Sequence, residues 1–162
     1  MITLGIDPGI DGGIGVVDGK MLSAVYAMPT VARRMSRGGA RNRVSPEALY
    51  NLLRQYVRRD GLVCVEAVNG RPTDGGASAF AFGEATGLVL GVLAALGCTP
   101  VRPVPDVWSR GVGLPTGCGK LARVKHAALI FPSHAHEFRL LSDNGKADAT
   151  LIALYGQRLV SR

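Results

Sequence analysis

Three β-prone runs crowd into the first 28 residues with only turn signals between them: Ile2 to Ile6, Ile14 to Val17 after Asp11-Gly12-Gly13, and Leu22 to Met28 after Asp18-Gly19-Lys20. Connections this short force antiparallel pairing, so the chain commits to a meander before any helix begins. The first run is the most uniformly apolar, which predicts a central strand covered on both faces.

Beyond the meander, Arg33, Arg34, Arg37, Arg41 and Arg43 crowd a segment that contains Gly38-Gly39 and no acid, the pattern of a flexible basic loop. Ser45-Pro46-Glu47 signals a helix start, with Leu49, Leu52, Leu53 and Tyr56 on one face and Gly61 at its end. Leu62 to Val65 predicts a buried strand leading into Glu66, followed by a polar, glycine-rich loop over Asn69 to Gly76.

A long helix is expected from about Ala77 to Leu96. Glu84 interrupts its apolar run and glycines recur through it, which favours a buried helix over a membrane span. Gly83, Gly87 and Gly91 stand four residues apart, a stripe suited either to packing on the sheet or to contact with a second copy of the chain. Thr99 to Val104 predicts a proline-bounded strand, and a short helix through Trp108 carries that indole as a core anchor. A basic helix from Lys120 to Ile130 stops at Phe131-Pro132, and a one-sided helix over Ala147 to Leu159 ends the chain.

With 162 residues and 47% hydrophobic content, a single domain over 1–162 is expected, with a core on both faces of its sheet. Nineteen Lys and Arg against twelve Asp and Glu leave a net charge of +7, a surplus that favours a polyanionic partner, with nucleic acid first. Cys64, Cys98 and Cys118 lack Cys-x-x-Cys spacing, which argues against a disulfide framework and a zinc knuckle. His134-x-His136 has no Cys or acid partner at zinc-ligand spacing and reads as incidental. No leader precedes Ile2, and the expected compartment is the cytoplasm, nucleoid-associated or in a phage-infected bacterium.

Three acids carry the chemistry. Asp7 ends the first apolar run and is followed by Pro8, which stops the strand and fixes the backbone beside the carboxylate; an ordinary turn aspartate is the bland alternative. Glu66 follows Leu62-Val63-Cys64-Val65, where an ionised carboxylate is costly unless paired or bound to a cation. Asp148 opens the last helical pattern, where the helix dipole alone accounts for many acids. Their conjunction suits hard divalent ions, and two such ions about 4 Å apart can activate water and stabilise the leaving oxygen in phosphodiester hydrolysis.

Gly5-Ile6-Asp7-Pro8-Gly9, Val65-Glu66, Pro105-Asp106-Val107-Trp108, Gly113-Leu114, Lys120, Phe131-Pro132 and Asp143-Asn144-Gly145-Lys146-Ala147-Asp148-Ala149 with Ile152-Ala153 form an ordered set. Together they resemble the RuvC-type Holliday junction resolvases, especially the shorter bacterial and phage-like branch, over nearly the whole chain. The resemblance implies an RNase H-like α/β fold: a mixed five-stranded sheet, three antiparallel strands then two parallel, with helices on both faces. It also implies a homodimer on four-way DNA junctions, no membrane association, and paired nicking with two Mg²⁺ ions per site, Mn²⁺ substituting.

In that scheme Asp7 bridges the metals, Glu66 and Asp148 are further ligands, and a fourth ligand precedes the last helix, with Asp143 as the participant and neutral Asn144 as the alternative. The DNA-binding candidates are Arg33, Arg34, Arg37, Arg41 and Arg43 as one surface and Lys120, Arg123 and Lys125 as another. A solvated face accounts for any one of them equally well, and clustering in an acid-free segment favours the first group. Lys146 is placed to contact the scissile phosphate or is an exposed helix lysine. The loop after Glu66 matches the family's junction-probing loop but offers Arg71 rather than an aromatic, which leaves Arg71 by charge or Phe80 by stacking as the wedge.

Two rivals stand beside the nuclease. A sugar-kinase or actin-like ATPase also ends its first strand in Asp-x-Gly but needs two such domains, and this chain is too short. A non-catalytic junction-binding protein with an impaired metal site needs only the loss of one ligand.

Overall fold

A computed structural model describes residues 1–34, 38–67 and 75–161. The meander forms as expected from β1 (Ile2–Asp7), β2 (Gly13–Asp18) and β3 (Met21–Ala27). Then come a β4–β5 hairpin (Thr30–Arg34 and Ala40–Val44), α1 (Pro46–Leu53), β6 (Leu62–Val65), α2 (Gly76–Ala95), α3 (Pro105–Gly111), α4 (Lys120–Ile130) and α5 (Asn144–Val160). Two short 3₁₀ segments, Pro132–Glu137 and Leu141–Asp143, join α4 to α5.

The main sheet has four strands in the order β3-β2-β1-β6, with β1 central, antiparallel to β2 and parallel to β6. The expected fifth strand over Thr99 to Val104 is not one. Val101 makes a single parallel bridge to Cys64, donating to the Val63 carbonyl and accepting from the Val65 amide, both at 2.9 Å. Pro103 has no N–H to give to β6, and only its carbonyl takes part, accepting from the Ala67 amide at 2.9 Å, so no second ladder pair forms. The mixed α/β architecture stands, with the sheet reduced to four.

The basic segment also differs from its predicted loop form. Thr30 to Arg34 pairs with Ala40 to Val44 through five registered pairs, from Thr30 opposite Val44 to Arg34 opposite Ala40. Gly38 and Gly39, both with positive φ (87° and 78°), supply a turn that other residues resist, and the strands then form despite their charge.

Strand parity divides the core in two. Leu4 and Ile6 of β1, Ile14 and Val16 of β2 and Val63 and Val65 of β6 face one side, against Leu49 and Leu53 of α1 and Ala85, Val89 and Leu93 of α2. Thr3, Gly5 and Asp7, and likewise Cys64, take the other parity, toward α5, with Trp108 behind it. Thr3 Oγ1 donates to Gln157 Oε1 at 3.0 Å inside this second layer. Gly5 is required there, because a Cβ would run into the Ala149 carbonyl and the Ala153 amide.

Helix α1 is capped as its sequence predicts, Ser45 Oγ accepting from the Ala48 amide at 3.3 Å. Helix α2 is not the buried helix expected. Only one face is covered, and Gly83, Gly87 and Gly91 have nothing within 4 Å of a Cβ built on them. Packing against the sheet is therefore not the reason for the stripe. By length and composition α2 is long and apolar enough to cross a membrane.

Candidate metal centre

The same parity that sorts the core delivers the acids. Asp7 continues the Thr3-Gly5 side of β1, and Glu66 continues the Leu62-Cys64 side of β6. Because Ile6 registers with Val65, the two carboxylates leave adjacent parallel strands side by side, with the Glu66 amide donating to the Ile6 carbonyl at 3.0 Å. Asp148 descends on them from α5. That helix begins at Asn144, earlier than the Ala147 expected, so Asp148 lies in its second turn and is only 5% exposed. A solvated helix-start charge is thereby excluded for it.

The three carboxylates lie close enough for Asp7 to raise the pKa of Glu66, and for both to raise that of Asp148. Asp148 is pushed up to about 7, first by burial, against the opposing pull of Arg123 and with added repulsion from Asp7 and Glu66. Burial, then the Asp7 charge, raises Glu66, while Trp108 opposes by donating from Nε1 to Glu66 Oε1 at 2.9 Å. Asp7 is raised by removal of its carboxyl from water and partly relieved by the Gly9 amide, which donates to Oδ1 at 3.2 Å, so the turn reading holds for one of its oxygens.

Arg123 Nε lies 3.0 Å from Asp148 Oδ1, yet the N–H is not aligned on the oxygen, and both buried atoms lack a hydrogen-bond partner. Among the described residues, no three His, Cys, Asp or Glu side chains are grouped so that they could hold a metal ion as they stand. The donor set nevertheless fits a hard divalent ion: three converging carboxylates and one buried carboxylate oxygen without a hydrogen bond.

Asp143 is held apart from this group. Its Oδ2 accepts from the Arg139 and Leu140 amides at 3.0 and 2.8 Å, and its Oδ1 is 3.1 Å from Lys146 Nζ. Those amides and Lys146 together keep its carboxyl below the usual range, although its partial burial acts the other way. Asn144 donates to the Leu141 carbonyl at 3.0 Å. Lys146 bridges Asp143 and Glu137, the latter at 3.0 Å, and is not an exposed helix lysine.

The remaining cations divide by location. Arg33, Arg34 and Arg41 are exposed on the β4–β5 ribbon, whereas Arg43 is paired with Glu84 of α2. Lys120 and Lys125 are exposed on α4, and Lys120 acts on both Asp7 and Asp148, which sets it on the rim of the centre. Arg37 and Arg71 fall outside the described residues. A groove of about 570 Å³ passes from Thr30 and Asn42 of the ribbon, past Asp11, to Lys146. A second, of about 340 Å³, lies between Arg41, Arg43 and Phe80, whose ring is 68% exposed.

Two contributions escaped the sequence reading. Trp108 is the fully buried core anchor expected, but its N–H also orients Glu66, and only a helix start at Pro105 two residues upstream of Val107 hinted at its placement. Arg123 turns inward to the acids rather than outward to a backbone. His126 makes a 3.0 Å hydrogen bond with the Val112 carbonyl, His134 and His136 stack on each other, and His136 Nε2 lies 3.5 Å from Glu137 Oε1.

No family model matches the sequence, and no curated protein matches it significantly. Solved structures do match in shape. RuvC from Thermus thermophilus in complex with Holliday junction substrate aligns with a TM-score of 0.62 at 19% identity, covering 99% of this chain and 95% of that one. Another Thermus thermophilus RuvC structure aligns with a TM-score of 0.56 at 20% identity, covering 96% and 92%. The chain therefore has the RuvC-type fold over nearly its full length.

Proposed function

We propose that this chain is a metal-dependent endonuclease, a single domain over 1–162 that resolves four-way or related branched DNA by paired nicks. The observation that carries this reading is the convergence of Asp7, Glu66 and Asp148 from β1, β6 and α5 at one sheet edge of a RuvC-type fold. Fold alone does not fix an activity, and the acids are what distinguish a hydrolytic site from a scaffold.

Asp7, Glu66 and Asp148 are the residues that would hold two Mg²⁺ or Mn²⁺ ions. When bound, such ions supply Lewis-acid activation of water and stabilisation of the leaving oxygen. Trp108 holds Glu66 in one orientation, and Lys120 at the rim offers its ammonium to a phosphate. Asp143 would be the fourth ligand, in place of its present contact with Lys146. Arg33, Arg34, Arg41 and Arg43 on the ribbon and Lys125 on α4 neutralise the DNA backbone, and the sequence offers Arg37 and Arg71, outside the described residues, for the same role.

The uncovered stripe of α2 is the face through which two copies pair, glycines allowing close approach of helix to helix. The compartment that suits this activity is the cytoplasm.

Nicking of a synthetic four-way junction in Mg²⁺ or Mn²⁺ tests the reading. D7N, E66Q and D148N are each expected to lose cutting by roughly a hundredfold or more while retaining junction affinity. A specific observation favours a second reading, the non-catalytic junction-binding protein: Asp143 and Asn144 are both engaged in local contacts. Tight binding without cleavage at saturating metal would establish that reading instead.

A further inference from the structure

Within the centre just described, one cation is already present, and it belongs to the protein. Arg123 projects from the middle of α4, between exposed Lys120 on one turn and exposed Lys125 on the next, yet its guanidinium is drawn inward to a side-chain exposure of 21%. It stands 3.0 Å from Asp148 Oδ1, and among the described residues neither Nε nor Oδ1 has a hydrogen-bond partner elsewhere. Its charge also reaches Asp7 and Glu66, so one guanidinium offsets all three acids. A pair that was purely structural is expected to be aligned and bonded on its remaining atoms, because burying two charges otherwise costs more than their attraction returns. The facing atoms of this pair are not aligned into a hydrogen bond, which leaves it close in space but weakly committed.

We propose that Arg123 is a resident counter-ion that occupies the cation position at Asp148 and must be displaced before a divalent ion can bind there. This rests on the metal reading of the acids. It makes Arg123 a positioning residue that sets how tightly the site takes its ion, not an ordinary contact to the DNA backbone. The exchange needs no backbone rearrangement: α4 is packed on α5, and an arginine side chain leaves Asp148 by rotating about its own bonds. The full triad of acids then belongs to the incoming ion, and the released guanidinium remains at the edge of the site.

Mn²⁺ binding without DNA, followed by the electron paramagnetic resonance of the free ion at pH 8, measures the competition directly. R123Q is expected to bind Mn²⁺ about tenfold more tightly than the wild type, because it removes both a competitor and a positive charge. R123K keeps the charge and is expected to stay within about threefold of the wild type. If Arg123 only braced the fold, both variants would bind more weakly, in parallel with a lower melting temperature.

A second measurement uses the unaltered chain. The Nε–H resonance of Arg123, assigned by its loss in R123Q, is expected to shift as diamagnetic Mg²⁺ saturates the site. Equal or weaker Mn²⁺ binding by a folded R123Q, or a resonance unmoved at saturating Mg²⁺, overturns the proposal. If D148N abolishes Mn²⁺ binding while R123Q matches the wild type, only the counter-ion role falls. If no ion binds to the wild type or to R123Q, the metal reading falls and takes the counter-ion role with it.

Discussion

Asp148 shows what burial does to a single carboxylate. Its folded-state pKa of about 7 lies above the ordinary 3.8, so between those values the native chain holds a proton that the unfolded chain has released. The Asp148 contribution to the stability of the metal-free protein is fully present near and below pH 3.8, declines as pH rises toward about 7, and levels off beyond. Asp7 and Glu66 are raised as well and add the same sign. The melting temperature of the wild type in EDTA is therefore expected to fall more steeply across that window than that of D148N; parallel curves would show that Asp148 ionises normally. Divalent-ion affinity runs the other way, strengthening as pH climbs through about 7, because the ligand must first lose its proton. Trp108 makes a separate prediction. W108F removes the N–H that orients Glu66 and is expected to weaken Mn²⁺ affinity by roughly 10- to 100-fold, with unchanged affinity counting against that role.

Among the elements, the β4–β5 ribbon is anchored at its base by buried Val44 and by Arg43 on Glu84, but its outer part carries a cost. Arg33 and Arg41 are directly opposed across the hairpin and both exposed, and like charges in that position repel. R41A is expected to leave stability unchanged or to raise it by a few tenths of a kcal/mol. The same change is expected to weaken junction binding and reduce the slope of log affinity against log salt by about 1. An unaltered slope would remove the ribbon from the DNA-binding surface. The α5–β1 contact makes the opposite kind of prediction. Gly5 lies under the backbone of α5, so G5A forces helix and strand apart and is expected to cost at least about 1–3 kcal/mol in urea unfolding. Asp7 and Asp148 sit on those two elements, and the acid cluster loosens with them.

For the assembled protein, the outer face of α2 is the least explained surface. Only 22% of its most apolar window is buried, and Phe80 at its start is 68% exposed. An apolar face of this extent suits a second copy, and the glycine stripe gives a helix pair room to close. G87E places a charge in the middle of that stripe, where nothing in the chain itself contacts it. It is expected to convert a sedimenting dimer to a monomer without lowering the stability of the separated chain. A wild type that already sediments as a monomer at tens of micromolar would rule out pairing through this face.

How much of this was legible beforehand follows from the range of the forces involved. β1, β6 and the placement of Asp7 and Glu66 came from local patterns, since alternation along a strand decides which side each residue takes whatever the chain does later. Pro132 ended α4 and Ser45 began α1 for equally local reasons. Pro103 was visible too, but its effect on the fifth strand depended on which neighbour needed the missing N–H. The ribbon was misjudged because charge and glycine content describe solvation, whereas pairing depends on the two arms meeting in register. Asp143 and Lys146 satisfied each other, and Arg123 found Asp148, only once the packing of α4 on α5 had set distances that no spacing along the chain encodes. Periodicity and backbone stereochemistry act between near neighbours and can be read in order; electrostatic partnership acts through space and waits for the fold.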